Sequence, residues 1–178
     1  MNTNNSQSYS LRTGVESDIP SAIGIWRSSI ESTSNQKLCP SVIERQELIL
    51  SKLADSNSVG QFWVAERSDE VIGWQSLSPT DWNDSLFGNA NVMSSTYVKR
   101  RAGDRNLGSS LLDTAIQYAR MSNISVIFGY ISADNVASQR LAKLHGFKLL
   151  GTFPVIPGWS DKEPLQYWYL PTVSNTIE

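Results

Sequence analysis

A single cysteine, a single histidine and a net charge of only −2 set the first limits on what this chain can be. Cys39 has no partner for an internal disulfide, which fits a reducing compartment and leads us to expect a cytoplasmic protein. One histidine and one cysteine cannot supply a zinc-type ligand cluster, so no metal is expected. No apolar run approaches the roughly 20 residues that span a bilayer, so no membrane role is expected. The near-balance of charge, 15 Lys and Arg against 17 Asp and Glu, gives no general affinity for nucleic acid. The sequence also lacks internal repeats, linkers and low-complexity tracts.

What is present reads as one α/β domain. A chain of 178 residues buries about two thirds of its unfolded surface. The polar segments 1–8 and 173–178 read as tails, the first without the apolar core of a signal peptide, and 9–172 as the domain. Ser10–Thr13 reads as a strand. Ser17 or Asp18 caps a helix with Pro20 in its first turn and Ile19, Ile23, Trp26 and Ile30 along one face. Pro40 and Ser41 start a second helix, with Ile43, Leu48, Leu50 and Leu53 expected inside. Gln61–Arg67 and Val71–Leu77 form a hairpin through Ser68-Asp69-Glu70. Thr80–Asn91 is a polar loop carrying Trp82 and Phe87. Further strands are expected at 92–98, 125–131, 147–153 and 165–170, with helices after the fourth strand and over 135–145.

Residues 97–112 carry the strongest chemical signal. Tyr97 and Val98 end a strand, a basic glycine-containing turn follows, and Leu107, Leu111, Leu112, Ala115, Ile116 and Ala119 then recur at helical spacing. A strand feeding such a turn and a helix N-terminus suits phosphate: first-turn N–H groups point into the loop, and Lys99, Arg100, Arg101 and Arg105 add charge.

A second element lies about 30 residues further on, at Asp134–Phe147. Asp134 or Asn135 caps a short helix, Ala137, Leu141 and Leu144 are expected to face inward, and Gly146 permits a left-handed stop before Phe147. The pattern Asn135-x-x-Ser138-x-x-Leu141 followed by Gly146-Phe147 resembles the B motif of the GNAT acetyltransferases. Ile25-Trp26-Arg27 through Thr33, Pro40 with Glu44-Arg45, Phe62–Glu66, Val71–Trp74, Gly151 and Gly158–Asp161 extend the resemblance to the phosphinothricin-type N-acetyltransferases.

This resemblance implies the GNAT fold: a single mixed, mostly antiparallel sheet of about seven strands with four helices on both faces. It implies transfer of an acetyl group from acetyl-CoA, as co-substrate, to the primary amine of a small amino-acid-like or antimicrobial molecule. A homodimer is an expectation from relatives. Cofactor-binding residues implied by the match are Tyr97, Val98, Gly103, Asp104, Arg105, Asn106, Leu107, Gly108, Ser109, Asn135 and Ser138. The pantetheine arm would follow the strand ending at Thr96–Val98, and a backbone N–H near Val98 would face the developing oxyanion. Substrate contacts fall on Trp26, Arg27, Trp82 and Trp159; for Arg27, ion pairing with Glu31 is the competing reading.

The chain departs from the family pattern at three places. Of the loop pattern Gln/Arg-x-x-Gly-x-Gly/Ala only Gly108 is kept, with Gly103 and Asn106 at the other fixed positions; Asn106 tolerates positive φ. Asp104 is unfavourable beside a pyrophosphate unless it points away or pairs with an arginine. The tyrosine that serves many relatives as general acid is Ala142 here, and the strand glutamate of the phosphinothricin-type enzymes is Met93. Proton transfer is left to water or to Ser138, Asp161, Glu163, Tyr130 or Tyr97. His145 reads as an exposed helix-end cation. Two alternatives stay open: a catalytically weak acyl-CoA-binding module, and an enzyme acting on a protein amine.

Overall fold

The computed structural model describes residues 9–34, 38–55, 60–80, 91–104, 106–155 and 163–173, without the side chains of 32–34. Its strands are β1 (Ser10–Thr13), β2 (Gln61–Arg67), β3 (Glu70–Pro79), β4 (Asn91–Val98), β5 (Val126–Ser132), β6 (Lys148–Phe153) and β7 (Leu165–Pro171). The helices are α1 (Ile19–Ser34), α2 (Pro40–Ala54), α3 (Leu107–Met121) and α4 (Val136–Leu144), with a 3-10 turn at Glu16–Asp18 before α1. The seven strands pair in the order β1-β2-β3-β4-β5-β7-β6, a mixed sheet in which β4 runs parallel to β5. The expected fold class is thus the observed one. By compactness the chain falls into two units, Met1–Ser76 with Thr96–Leu112 and Leu77–Ser95 with Asp113–Glu178.

In the first unit, β1 runs antiparallel to β2, with Ser10 opposite Glu66 and Thr13 opposite Trp63. Alternation along β2 separates two apolar clusters. Phe62 and Val64 pack with Trp74 against Ile19, Ala22, Ile23, Ile25 and Trp26 of α1 and Leu50 and Leu53 of α2. Ala65 packs with Ile72, Ala102, Leu107 and Leu111, at the start of α3. Period-2 alternation in β2 meeting period-3.6 stripes on the helices is what puts α1 and α2 on one face and α3 on the other. The β2–β3 turn places Ser68 (φ 49°) and Asp69 (φ 61°) in the left-handed region, as a tight hairpin demands. Gly73 suits a close approach: a Cβ there would lie 3.1 Å from the Tyr97 carbonyl oxygen and 3.2 Å from Leu111 Cδ1.

One expectation for α2 fails. Leu48 is 56% exposed, because two residues of helix place it about 200° around the axis from Leu50, which is fully buried. Cys39 is the exposed N-cap residue of α2.

In the second unit, β5 pairs antiparallel with β7 from Val126 opposite Pro171 to Ser132 opposite Leu165, and β7 pairs with the outer strand β6. The α4 helix also turns out differently. Ala142 is its buried residue, whereas Leu144 is 76% exposed and Ala137 is exposed. A helix this short at the surface buries a narrow stripe, and that stripe runs through Ala142 and half-buried Leu141. Gly146 adopts φ +82°, ending α4 as expected.

Candidate functional site

The end of β4 positions the basic loop. Tyr97 turns toward the α1/α2 side, its ring 4.9 Å from Trp74, and Val98 turns toward Leu107 and Leu111. The indole of Trp26 hydrogen-bonds the Tyr97 hydroxyl. Burial raises the Tyr97 pKa above its ordinary value, and the indole N–H acts in the opposite sense. Trp26 itself is buried in the core, 8% exposed. On the other face, Thr96 Oγ1 donates to Oε1 of the fully buried Gln75, whose Nε2 donates to the Ser76 carbonyl at 2.8 Å.

Beyond Val98 the loop is pinned at both ends. Lys99 N–H donates to the Ile72 carbonyl at 2.8 Å and Ala102 N–H to the Lys99 carbonyl at 2.9 Å, closing a turn. Arg67 Nη1 donates to the Ala102 carbonyl at 2.6 Å. The Lys99 ammonium pairs with Glu70 across the hairpin end, so its charge is partly committed before any ligand arrives. Gly103 takes φ +74°, turning the chain toward α3. This corrects the expectation for Asn106: among the described loop residues the left-handed one is Gly103, and Asn106 has no positive φ. A glycine in the register where relatives carry a side chain relieves Asn106 of that task.

Asp104 is not paired with an arginine among the described residues. Its Oδ1 accepts the Asn106 N–H at 2.9 Å, an Asx turn immediately ahead of α3. Val98, Lys99, Arg100, Ala102, Gly103 and Asp104 line a cleft of about 450 Å³. Arg100 and Arg101 are exposed. Leu107 is fully buried and anchors the helix, while Gly108 and Ser109 stand in its first turn, where backbone N–H groups lack intrahelical acceptors. The fold thus brings six consecutive or near-consecutive loop residues around one concavity with a helix N-terminus beside it, and these fit a diphosphate. Arg105 lies outside the described residues.

In the second unit, Asn135 caps α4: its Oδ1 accepts the Ser138 N–H at 3.1 Å. The Asn-x-x-Ser spacing is therefore a helix cap in its own right. Gln139 Nε2 donates to the Ala133 carbonyl at 2.8 Å and fixes the segment before it. Ser138 is half-buried. Tyr130 stands opposite Tyr167 in the β5–β7 ladder, ring centroids 4.7 Å apart, with Phe128 stacked on the same Tyr167 at 5.1 Å. Burial raises Tyr130, and burial with the neighbouring Tyr130 pushes Tyr167 up to about 12. Glu163 is exposed. Asp161, Trp82 and Trp159 lie outside the described residues.

Two side chains settle into structural partnerships. Arg27 Nε lies 2.9 Å from Glu31 Oε1, one turn along α1. His145 is not the exposed cation expected: its side chain is 7% exposed, with Nδ1 3.0 Å from Asp113 Oδ1 of α3. Sequence reasoning missed Arg67 and the Thr96–Gln75 pair. Arg67 stands at a strand end where a basic residue normally reads as solvated, and Gln75 interrupts an apolar strand, which was the available signal.

Comparison with known proteins bears on this geometry. Residues 26–147 match the Acetyltransferase (GNAT) family. An L-methionine sulfoximine/L-methionine sulfone acetyltransferase of Pseudomonas aeruginosa is 24% identical over 151 residues, 84% of this chain and 86% of the relative. A phosphinothricin N-acetyltransferase of Streptomyces coelicolor is 24% identical over 147 residues, 80% of this chain and 84% of the relative. The crystal structure of a Sinorhizobium meliloti phosphinothricin acetyltransferase in complex with AcCoA superposes with a TM-score of 0.77 at 19% identity, covering 92% of this chain and 88% of that one. The chain belongs to the GNAT family of acetyltransferases and is an acetyl-transferring enzyme.

Proposed function

We propose that this enzyme uses acetyl-CoA and transfers its acetyl group directly to the primary amine of a small, amino-acid-like molecule. The observation that carries the reading is the cleft formed by Val98–Asp104 beside the N-terminus of α3. It combines exposed cations, a glycine turn and first-turn amides at the end of the strand along which the pantetheine arm would lie. The relatives named for methionine sulfoximine and for phosphinothricin support an amino-acid acceptor.

Bound acetyl-CoA supplies the thioester carbonyl. The chain's residues have three tasks. The loop from Val98 to Ser109, with Asn135 and Ser138, binds and orients; a backbone N–H near Val98 faces the developing oxyanion. Trp26, Arg27, Trp82 and Trp159 are the acceptor-side candidates. The amine loses a proton before or as its nitrogen bonds the carbonyl carbon, the C–S bond breaks, and the leaving sulfur takes up a proton. Ser138, Asp161, Glu163 and Tyr130 are the candidates for moving those protons. Among the described three, Tyr130 carries a phenol, the group that is protonated at neutral pH and closest in acidity to a thiol; burial raises its pKa.

Calorimetric titration with acetyl-CoA and with CoA, followed by thiol release over an amine panel, tests the reading. The panel includes phosphinothricin, methionine sulfoximine, methionine sulfone and amines of other classes. Binding with thiol release dependent on an amino-acid-like amine is expected. Absence of binding at millimolar ligand overturns the proposal, and tight binding without amine-dependent release assigns the protein to acyl-CoA binding alone.

A further inference from the structure

We infer that Arg67, at the end of β2, is a positioning residue for the cofactor loop: by holding the Ala102 carbonyl it sets the Gly103 N–H to meet a phosphate oxygen. This role rests on reading the cleft of Val98–Asp104 as the seat of the CoA diphosphate.

Arg67 is half-buried and stands 35 positions before Ala102 in the chain. Its Nη1 donates to the Ala102 carbonyl at 2.6 Å, a short charge-assisted bond. The rest of the β2–β3 hairpin holds the same turn. The Ile72 carbonyl accepts the Lys99 N–H at 2.8 Å, and buried Ala102 packs with Ala65 and Ile72. Lys99 and Ala102 are the two ends of that turn, closed by the Ala102 N–H on the Lys99 carbonyl at 2.9 Å. Both ends are therefore docked on the hairpin, with Arg100 and Arg101 exposed between them.

The consequence falls on the next peptide. A trans peptide unit is planar, and its C=O and N–H point in opposite directions. With the Ala102 carbonyl held toward Arg67, the Gly103 N–H is turned away from it. That N–H meets no acceptor among the described residues, and Gly103 is exposed. A Cβ added at Gly103 would meet nothing within 4 Å, so the space around it is open. Ala102 and Gly103 both line the cleft, whereas Arg67 does not. A guanidinium on the carbonyl also polarises the N–H of the same peptide, which strengthens it as a donor to an anion.

Two variants and one resonance test the role. Arg67→Met keeps the apolar stem and removes donor and charge; Arg67→Lys keeps the charge and a donor. CoA, and pantetheine, which lacks the diphosphate, are titrated calorimetrically into wild type and both variants at low and high ionic strength, with melting temperature confirming the fold. Arg67→Met is expected to bind CoA about tenfold more weakly, the scale of one hydrogen bond to a charged group, with pantetheine affinity unchanged. The loss should persist at high ionic strength, where attraction between distant charges is screened. Arg67→Lys should recover most of it. In isotope-labelled wild type, which needs no substitution to fold, the Gly103 amide resonance should shift with CoA and stay in place with pantetheine. The role is overturned if Arg67→Met binds CoA as wild type does, if CoA and pantetheine affinities fall together, or if the loss vanishes at high ionic strength. It is equally overturned if Arg67→Lys loses as much as Arg67→Met, or if CoA leaves the Gly103 amide unmoved. Any of these results with a wild type that binds CoA leaves the proposed function standing; a wild type that does not bind CoA at millimolar concentration overturns both.

Discussion

Arg12 grips Asp18 with both arms of its guanidinium, Nη1 to Oδ2 at 2.7 Å and Nη2 to Oδ1 at 2.9 Å. The same arginine donates from Nε and Nη2 to Glu66 Oε2 on the neighbouring strand, and Asp18 Oδ2 also accepts the Val15 N–H at 2.9 Å. One fork thereby ties β1, β2 and the turn that launches α1. Asp18 is buried, 6% exposed, and the Arg12 hydrogen bonds, opposed by burial and aided by the Val15 N–H, hold its carboxyl below the ordinary range.

Asp18→Ala should lower stability by about 2 kcal/mol, the usual worth of a charged hydrogen-bonded partner removed from a mostly buried site. For a chain of this size that is a fall of roughly 6 °C in melting temperature. Because the folded-state pKa is depressed, the contribution is present above the unfolded value near 3.8 and is lost as pH falls below it toward the folded value. Thermal melts of wild type and Asp18→Ala between neutral pH and pH 3 should converge at the acid end. Curves that stay parallel would refute the assignment.

Stacked tyrosines make the opposite demand at alkaline pH. Tyr167 is pushed up to about 12 by burial and by Tyr130, which is itself raised by burial. A raised folded pKa means that the stabilising neutral form is fully present below the unfolded value near 10 and that stability falls as pH rises from there through the folded value. Spectrophotometric titration at the tyrosinate band should show a group ionising near 12 in the folded protein, with unfolding beginning in the same range. Tyr167→Phe should shift that unfolding to higher pH.

The physics behind each outcome explains what could be read in advance. Apolar spacing in α1 and α3 names its own buried face, so Ile19, Ile23, Trp26, Leu107, Leu111 and Ala115 are where the pattern places them. The loop and the Asn135 cap are local signals, written in consecutive residues. Leu48 and Leu144 mislead because hydrophobicity alone does not say which side of a short surface helix meets a neighbour. His145 finds Asp113, 32 positions away in sequence, and Arg67 finds the Ala102 carbonyl across 35; such long-range partners leave no periodic trace. The hydrogen bond from the Asn106 N–H to Asp104 sits between the two cases, since Asp three residues before a helix is legible as a turn. Its bearing on a diphosphate needs the cleft around it.

Within the loop, the cations should contribute unequally. Lys99, Arg100 and Arg101 are all exposed, and Lys99 alone of them forms an ion pair among the described residues, with Glu70. Arg100→Ala should weaken CoA binding by about tenfold at low salt, the scale of one partly exposed charge–phosphate contact. Lys99→Ala should weaken it less, and the difference should shrink as ionic strength rises. Gly103→Ala meets no steric neighbour, since no heavy atom lies within 4 Å of the added Cβ. It must nevertheless hold alanine at φ +74°, at a cost of about 1 kcal/mol. That loss should appear mainly as weaker CoA binding, because the turn is exposed and the core lies elsewhere. Equal effects of Lys99→Ala and Arg100→Ala would contradict the ion-pair argument.

The proton for the leaving sulfur offers the sharpest comparison between the described candidates. Tyr130 is a phenol, protonated at neutral pH as any phenol is, with burial raising its pKa further, while Glu163 is an exposed carboxyl and Ser138 a hydroxyl on the first turn of α4. A protonated group placed at the leaving sulfur can pass it a proton, and a positioned donor contributes on the order of a hundredfold. Tyr130→Phe should therefore lower kcat by about a hundredfold with the Kd for acetyl-CoA unchanged. Phenylalanine preserves the stack on Tyr167, so melting temperature should move little. Ser138→Ala, by contrast, keeps the backbone N–H that Asn135 caps and should leave kcat within a few-fold of wild type while raising the Kd for acetyl-CoA. The reverse pattern, with kcat collapsing in Ser138→Ala and intact in Tyr130→Phe, transfers the donor role to the serine.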